Sequence, residues 1–371
     1  MTQQTMAPIA DPDPEDRAEE GIGIALSGGG YRAMLFHLGA LLRLFETGLV
    51  GTAARVSSVS GGSITAAKLA LELPHLHTRN DYMIRVADPI RELASTTVDL
   101  TSIAVGVLLP GSVSGRVAAV YDRLLFQGAT LQDIPDAPRF VVNATNVETG
   151  SLFRFSKPYA RDWRLGEIPH PTFRLADAAA ASSAFPPVLS PFMLDVEPDD
   201  FTKVERGTDP KLLQDIMLTD GGVYDNLGLE TVFKRYRTLL VSDAGGALGD
   251  DPSPPSDWGR HAKRVLDIIH SQVSNVRVRQ LMANYKAGRR DGCYWGIRTG
   301  VDQYGIPDHL PAPSERTLEL ALTPTRLKRM GASLQERLVN WGYAACDASL
   351  RANWRADLGQ APMMPYPTTP I

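Results

Sequence analysis

Three short Gly-rich turns, each placed where a hydrophobic run ends, constrain this chain more than any bulk property: Gly28-Gly29-Gly30-Tyr31-Arg32-Ala33, Ser58-Val59-Ser60-Gly61-Gly62 and Asp220-Gly221-Gly222. Gly21 to Ser27 is mostly apolar and bounded by glycines, as a buried central strand would be. From Tyr31 the apolar residues Met34, Leu35, Leu38, Leu41, Leu42 and Phe45 recur at helical spacing, and Gly48 supplies a stop. A second unit follows, with a strand over Ala54 to Val59, Ser60 at the turn, and a helix over Ile64 to Leu73 ended by Pro74. The third has a strand over Ile216 to Thr219, the turn Asp220-Gly221-Gly222, and a helix over Leu227 to Tyr236. Strands alternating with helices predict an α/β fold, three-layer α/β/α, with a mostly parallel central sheet. In such a sheet the turns at the carboxyl ends of the strands present the functional groups.

The remaining patterns fill in around these units. Phe140 to Val147 and Leu152 to Phe155 read as strands of a hairpin joined by Glu148-Thr149-Gly150-Ser151. Asp81 to Gln127 is helical with breaks near Pro110, and is expected to cover or flank the site. Leu175 to Ser183 is an Ala-rich helix running into Phe185-Pro186-Pro187, and Asp195 to Pro210 is a polar surface loop. Thr238 to Ser242 reads as a buried strand, and Gly259 to Arg290 and Pro324 to Leu350 as helices. The expected organisation is an acidic, disordered leader over residues 1–20, one catalytic domain over 21–355 with a helical insertion near 75–130, and a tail over 356–371.

Bulk properties narrow the class. With 43% hydrophobic and 22% charged residues and a net charge of −4, the chain reads as a soluble globular protein with no global attraction to nucleic acid. Cys293 and Cys346 are too few for a disulfide framework and too far apart for a metal-type pair, so both are expected to be buried thiols. The N-terminal residues lack a basic-then-apolar signal pattern, which predicts a cytoplasmic protein. The longest apolar candidate for a membrane segment, Ile103 to Leu109, is interrupted by Gly106 and ended by Pro110, far short of the ~20 residues a span requires. Any contact with a membrane is therefore expected to be peripheral, from the surface.

A serine hydroxyl becomes a nucleophile only when a base takes its proton, and acyl transfer also needs donors for the oxyanion. Small residues at 58, 61 and 62 let a sharp strand-to-helix turn expose the Ser60 hydroxyl. Gly28, Gly29 and Gly30, lacking Cβ, let backbone N–H groups at a helix start point at an anion. The same loop also fits the dinucleotide fingerprint. That reading requires an acidic residue at the end of the second strand, where this chain has Ser57, Ser58 and Ser60. For the base, Asp220 follows a strand and precedes two glycines. Asp243, before Ala244-Gly245-Gly246, competes for the role, and Asp225 reads as a helix cap. None of the seven histidines lies in a Gly-rich turn after a strand, although His270 or His309 satisfies an α/β-hydrolase order on paper; His37 reads as a packed helix residue.

Taken in order, these motifs resemble the patatin-like phospholipases, a family with a Ser-Asp dyad related to the cytosolic phospholipases of type A. Gly28-Gly29-Gly30-Tyr31-Arg32-Ala33 matches the family's Gly-Gly-Gly-x-Arg-Gly loop, and Ser58-Val59-Ser60-Gly61-Gly62 matches Gly-x-Ser-x-Gly. Asp220-Gly221-Gly222 matches Asp-Gly-Gly, and Ala181 to Pro187 resembles the family's Ala-Ser-x-Ala-x-Pro segment. Ala33 and Ser58 depart from the pattern, each a small residue in place of glycine. The resemblance covers residues 21–245 and implies hydrolysis of a lipid acyl ester: Ser60 attacks, Asp220 takes its proton, the glycine loop holds the oxyanion, and Gly61, Gly62, Gly221 and Gly222 support the turns. Arg32 is expected to brace the loop or attract a phosphate. No metal or organic cofactor is implied. The implied partner is a phospholipid or membrane surface; lysophospholipase and thioesterase activities share the same acyl-enzyme, and a dinucleotide-binding module remains the alternative of another class. Some bacterial relatives are lipase toxins switched on by cyclic nucleotides, so a small-molecule or nucleotide activator is a further expectation, although no residue reads as a nucleotide site. Eight Lys or Arg residues between Arg260 and Arg290, against Asp267 alone, suit anionic head groups or a solvated helical face. Oligomeric state is not legible.

Overall fold

Alternation along the first strand sets the layers of the molecule. In the computed structural model, which describes residues 18–98, 113–246 and 248–371, β1 (Glu19–Leu26) sends Ile24 and Leu26 into one hydrophobic cluster and Ala25 into another, as a two-residue period requires. The first cluster packs α1 (Gly30–Glu46), α2 (Gly61–Glu72), α3 (Leu175–Ser182) and the C-terminal α5 (Ala332–Asn353). The second, smaller cluster packs residues 227–236 and Leu281, in the last third of the long helix α4 (Trp258–Lys286). Helices thus cover both faces of the sheet. Residues 1–17 of the expected leader and the run Ile103 to Leu109 lie outside the described residues.

The other strands are β2 (Arg55–Val59), β3 (Arg139–Asn146), β4 (Ser151–Phe155), β5 (Tyr159–Asp162), β6 (Gly166–Pro169), β7 (Phe192–Leu194), β8 (Ile216–Asp220), β9 (Tyr236–Asp243) and β10 (Asp291–Gly296). The order β10-β9-β1-β2-β3 is parallel throughout and carries the first two Gly-rich turns, after β1 and β2; the third follows β8, which runs antiparallel to β3. The hairpin β3-β4 and the short strands β5 and β6 continue it antiparallel.

One junction positions everything that follows. Along a single edge of β3, parallel β2 pairs the first half, ending with Val59 opposite Asn143. Antiparallel β8 pairs the second half, ending with Asp220 opposite Ala144. The two strands point at each other, so their carboxyl ends meet on consecutive residues of β3. Residues 60 and 220, remote in sequence, become neighbours by register alone.

Several expected boundaries move. The helix expected over Leu227 to Tyr236 is a single turn, Glu230–Phe233, because Gly228 adopts φ +69° and the Asp225 carboxylate accepts the N–H groups of Leu227 and Glu230. Tyr236 already belongs to β9. The last helix begins at Ala332 rather than Pro324, since the backbone of 327–330 is held by residues 94–98: Val98 N–H donates to Leu327 O and Met330 N–H to Ala94 O. Strand β10 has no apolar run to announce it. Residues 356–371 lie against α5, where the Asn340 amide donates to the carbonyls of Tyr366 and Thr369. Cys293 and Cys346 are free and buried, and burial pushes the Cys293 thiol up to about 12.

Candidate active site

Ser60 occupies the turn between β2 and α2 with φ 52° and ψ −122°, a conformation that L residues avoid and that persists only where the surroundings enforce it. The enforcement is visible. The Ser60 N–H donates to Ser182 Oγ at 2.9 Å, and that hydroxyl donates to Asn143 O at 2.6 Å. Ser63 Oγ lies 2.9 Å from Ser182 Oγ. A Cβ on Gly61 would collide with the carbonyl oxygen of Gly30, so the elbow and the glycine loop interlock through bare backbone.

Asp220 is held by the same clasp. Its N–H donates to Ala184 O at 3.0 Å, and the next N–H, of Gly221, donates to Ser182 O at 3.2 Å. Ser182 therefore ties both turns together through its hydroxyl and its carbonyl. The Asp220 carboxylate is buried, with Oδ1 accepting the Gly222 N–H at 2.7 Å. Oδ2 has no partner of regular hydrogen-bond geometry among the described residues. Burial pushes the carboxyl from 3.8 up to about 7, opposed by the Gly222 N–H and by the Ser60 hydroxyl facing it. An orphaned carboxylate oxygen beside a serine is an acceptor in waiting.

The glycine loop curls over the same space. Gly29 (φ 147°) and Gly30 (φ 60°) take conformations open to glycine, and neither N–H is bonded among the described residues. Gly28 differs from expectation: its N–H donates to Asn226 O at 2.9 Å, so it has no donor left for an oxyanion. The unspent pair is Gly29 and Gly30, at the N-terminus of α1. Arg32 is buried, and desolvation lowers it to about 10. Its Nε and Nη2 donate to Ala244 O at 3.1 and 3.0 Å, and Nη1 donates to Thr323 O. It braces the loop against two neighbouring segments instead of reaching a phosphate or a surface acid.

The rival bases are spent elsewhere. Asp243 accepts Gly245 N–H on Oδ1 and Tyr294 O–H on Oδ2, both at 2.8 Å. Asp225 caps the turn after it, as its sequence position predicts. His37 is buried and lowered by desolvation to about 4, with Nδ1 2.8 Å from Ser242 Oγ and Nε2 2.9 Å from Ser27 O. His309 interacts with Leu310 O and Asp302. His270 lines the cavity, but no hydrogen bond joins a histidine to Ser60 or Asp220 among the described residues.

Ser60, Asp220 and the loop Gly28–Gly30 line one cavity of about 550 Å³. Its apolar side is Phe185 to Leu189, and its far wall is α4. Asn226, which receives the Gly28 N–H and also lines the cavity, was not singled out from sequence, and neither was the role of Ser182. No group of three or more metal-ligating side chains occurs among the described residues, and no helix among them is long and apolar enough to cross a membrane.

A family model described as patatin-like phospholipase matches residues 24–233. Among solved structures, human GIVD cytosolic phospholipase A2 in complex with methyl gamma-linolenyl fluorophosphonate is 16% identical, covering 89% of this chain and 57% of that one, with a TM-score of 0.47. A second structure of the human enzyme is 15% identical over 62% of this chain and 46% of that one, at 0.41. VipD from Legionella pneumophila is 15% identical over 89% and 66%, at 0.37. The chain spans less than two thirds of the length of each. No curated protein matches it in sequence.

Proposed function

The chain belongs to the patatin-like phospholipase family, and on that premise we propose that it is a serine acyl hydrolase cleaving fatty-acyl esters of phospholipids through Ser60 and Asp220. The observation that carries the reading is the end-to-end meeting of β2 and β8 on β3, which sets a strained serine beside a buried carboxylate in one cavity with two unspent backbone donors. The Ser60 proton passes to Asp220 as Oγ attacks the ester carbonyl carbon. The Gly29 and Gly30 N–H groups receive the oxyanion, and the adjoining N-termini of α1 and α2 favour its charge. Collapse breaks the carbon–oxygen bond of the leaving alcohol, which Asp220 protonates. Water then attacks the acyl-Ser60 ester, yielding its proton to Asp220; collapse breaks the bond to Ser60 Oγ, Asp220 returns the proton to that oxygen, and the fatty acid departs. A carboxyl titrating at about 7 suits a group that must be base and acid in turn near neutrality.

The dinucleotide alternative loses support, because the end of β2 carries Ser60 where a ribose-binding acid would be needed. Lysophospholipase and thioesterase activities use the same acyl-enzyme and differ in what the cavity admits. Wild type, Ser60→Ala and Asp220→Asn incubated with mixed phospholipid vesicles, with released fatty acid and lysolipid read by mass spectrometry, test the proposal. Release by wild type alone supports it, and names the ester; undiminished release by Ser60→Ala refutes it. A silent wild type whose Ser60 still reacts with a fluorophosphonate points to a small-molecule activator. On this reading the chain meets a membrane peripherally, at the surface that holds its substrate.

A further inference from the structure

A surface helix ordinarily turns its apolar face to the core. Over the first two thirds of α4 the reverse holds. Asp267, His270, Ser271 and Ser274 form one face and line the Ser60 cavity. On the opposite face Trp258, Ala262, Val265, Ile269, Val273 and Val276 recur at spacings of three and four, and all are exposed. Exposure is 89% at Trp258 and 54% at Ile269, with Leu266 at 60% beside the stripe. Seven of the 18 exposed large hydrophobic side chains of the described residues belong to this one helix, so the patch is not the scatter of single apolar residues that any surface carries. The last third is tied to the body of the fold: Arg277 faces Asp225 and Glu230, Leu281 enters the core, and Tyr285 O–H donates to Leu239 O.

Charge selects the occupant. The helix carries six cations against one anion in a chain whose net charge is −4; Arg260, Lys263 and Arg277 pair with carboxylates, and Arg264, Arg279 and Lys286 have no acidic partner among the described residues. Pairing this helix with that of a second copy would set like charge against like, whereas an anionic lipid surface complements both the apolar stripe and the basic side chains Arg264, Arg279 and Lys286 of the same helix. An exposed tryptophan at the stripe's end matches the preference of that side chain for the boundary between head groups and acyl chains.

We propose that α4 is an interfacial helix that lies along the surface of a bilayer containing anionic lipids, apolar stripe inward, with the Ser60 cavity immediately behind it. One helix diameter, about 10 Å, then separates the lipid from the cavity. The inference rests on the lipid-hydrolase reading for its substrate but not for its binding. The polar cavity-facing side and the apolar outer side of α4 become two working faces of a single element.

The test is co-sedimentation of the full chain with vesicles of phosphatidylcholine alone or with a minority of phosphatidylglycerol, at low and high salt. Wild type and Ser60→Ala are expected to bind the anionic vesicles equally, more weakly at high salt and on neutral vesicles. Ile269→Asn/Val273→Asn is expected to lower the partition coefficient by roughly tenfold or more. The same variant should hydrolyse a soluble short-chain ester at the wild-type rate, which shows that it folds and that the cavity is intact. Failure of the hydrolase reading would show in that ester assay and leave vesicle binding unchanged. A wild type that ignores anionic vesicles, or a double variant that binds them as wild type does, overturns the proposal. So does a concentration-dependent dimer in sedimentation equilibrium that the double substitution dissociates, which would assign the stripe to a second copy.

Discussion

Burial moves the Asp220 carboxyl from 3.8 up to about 7, so the folded protein disfavours the ionised form relative to the unfolded chain. A raised folded-state value means that the group's contribution to stability is fully present below 3.8 and is lost as pH climbs through 7. The full shift corresponds to about 4 kcal/mol, reached above pH ~7. Asp220→Asn removes the ionisation while keeping an oxygen for the Gly222 N–H. Its new amide hydrogens face the place where Oδ2 lacks a regular partner, at a cost of about 1–3 kcal/mol that does not vary with pH. The variant should therefore be more stable than wild type by about 1–3 kcal/mol above pH ~8, and less stable than wild type below pH ~4. Urea denaturation of both proteins across that range measures the gap, and every other titrating group cancels in the difference. A gap that stays constant from pH ~4 to ~8 would mean that Asp220 titrates as an ordinary surface carboxyl. The same variant should have no measurable turnover, the expected conflict between a stable fold and a charged group buried for use.

Four further outcomes follow from the same geometry. For a soluble ester, kcat/KM should rise tenfold per pH unit below about 7 and level off above it; a profile already flat at pH ~5 contradicts Asp220 as base. Gly61→Ala drives a Cβ into the Gly30 carbonyl oxygen, so urea denaturation should report a loss of about 1–3 kcal/mol, with kcat/KM down at least roughly tenfold; wild-type turnover would show that the two turns do not interlock. Ser182→Ala strands the Ser60 N–H and the Asn143 carbonyl, at about 1–3 kcal/mol and with slower fluorophosphonate labelling of Ser60; unchanged stability and labelling together would remove Ser182 from the account. Arg32→Met loses the guanidinium bonds to Ala244 O and Thr323 O and should cost about 2–3 kcal/mol in denaturation; a neutral result would mean that the loop holds without its brace.

What the sequence made legible is what local chemistry encodes. Apolar runs broken by Gly-rich turns located β1, β2 and β8, and the turns named Ser60, Asp220 and the glycine loop, because a strained elbow and a donor loop need small residues wherever they occur. Asp225 was recognisable as a cap from its place before a helical turn. The rest depends on long-range pairing. That the Gly28 N–H is spent on Asn226 O, leaving Gly29 and Gly30, follows from a contact between segments about 200 residues apart. Ser182 sat in a segment singled out for resemblance, but its clasp on both turns exists only once β3 has aligned β2 with β8. Strand β10, Asp291–Gly296, has too few apolar residues to stand out from a loop and is specified by its partner β9. In α4 the basic residues were legible and the outward apolar stripe was not, since periodicity locates an apolar face without saying what it meets.

The most direct test of the central claim is intact-protein mass spectrometry after exposure to a fluorophosphonate, with the adduct mapped by peptide sequencing, on wild type, Ser60→Ala and Asp220→Asn. One adduct is expected on wild type, at Ser60, none on Ser60→Ala, and labelling of Asp220→Asn slowed by at least roughly a hundredfold at neutral pH. An adduct at another serine, or wild-type labelling kinetics in Asp220→Asn, would contradict that claim.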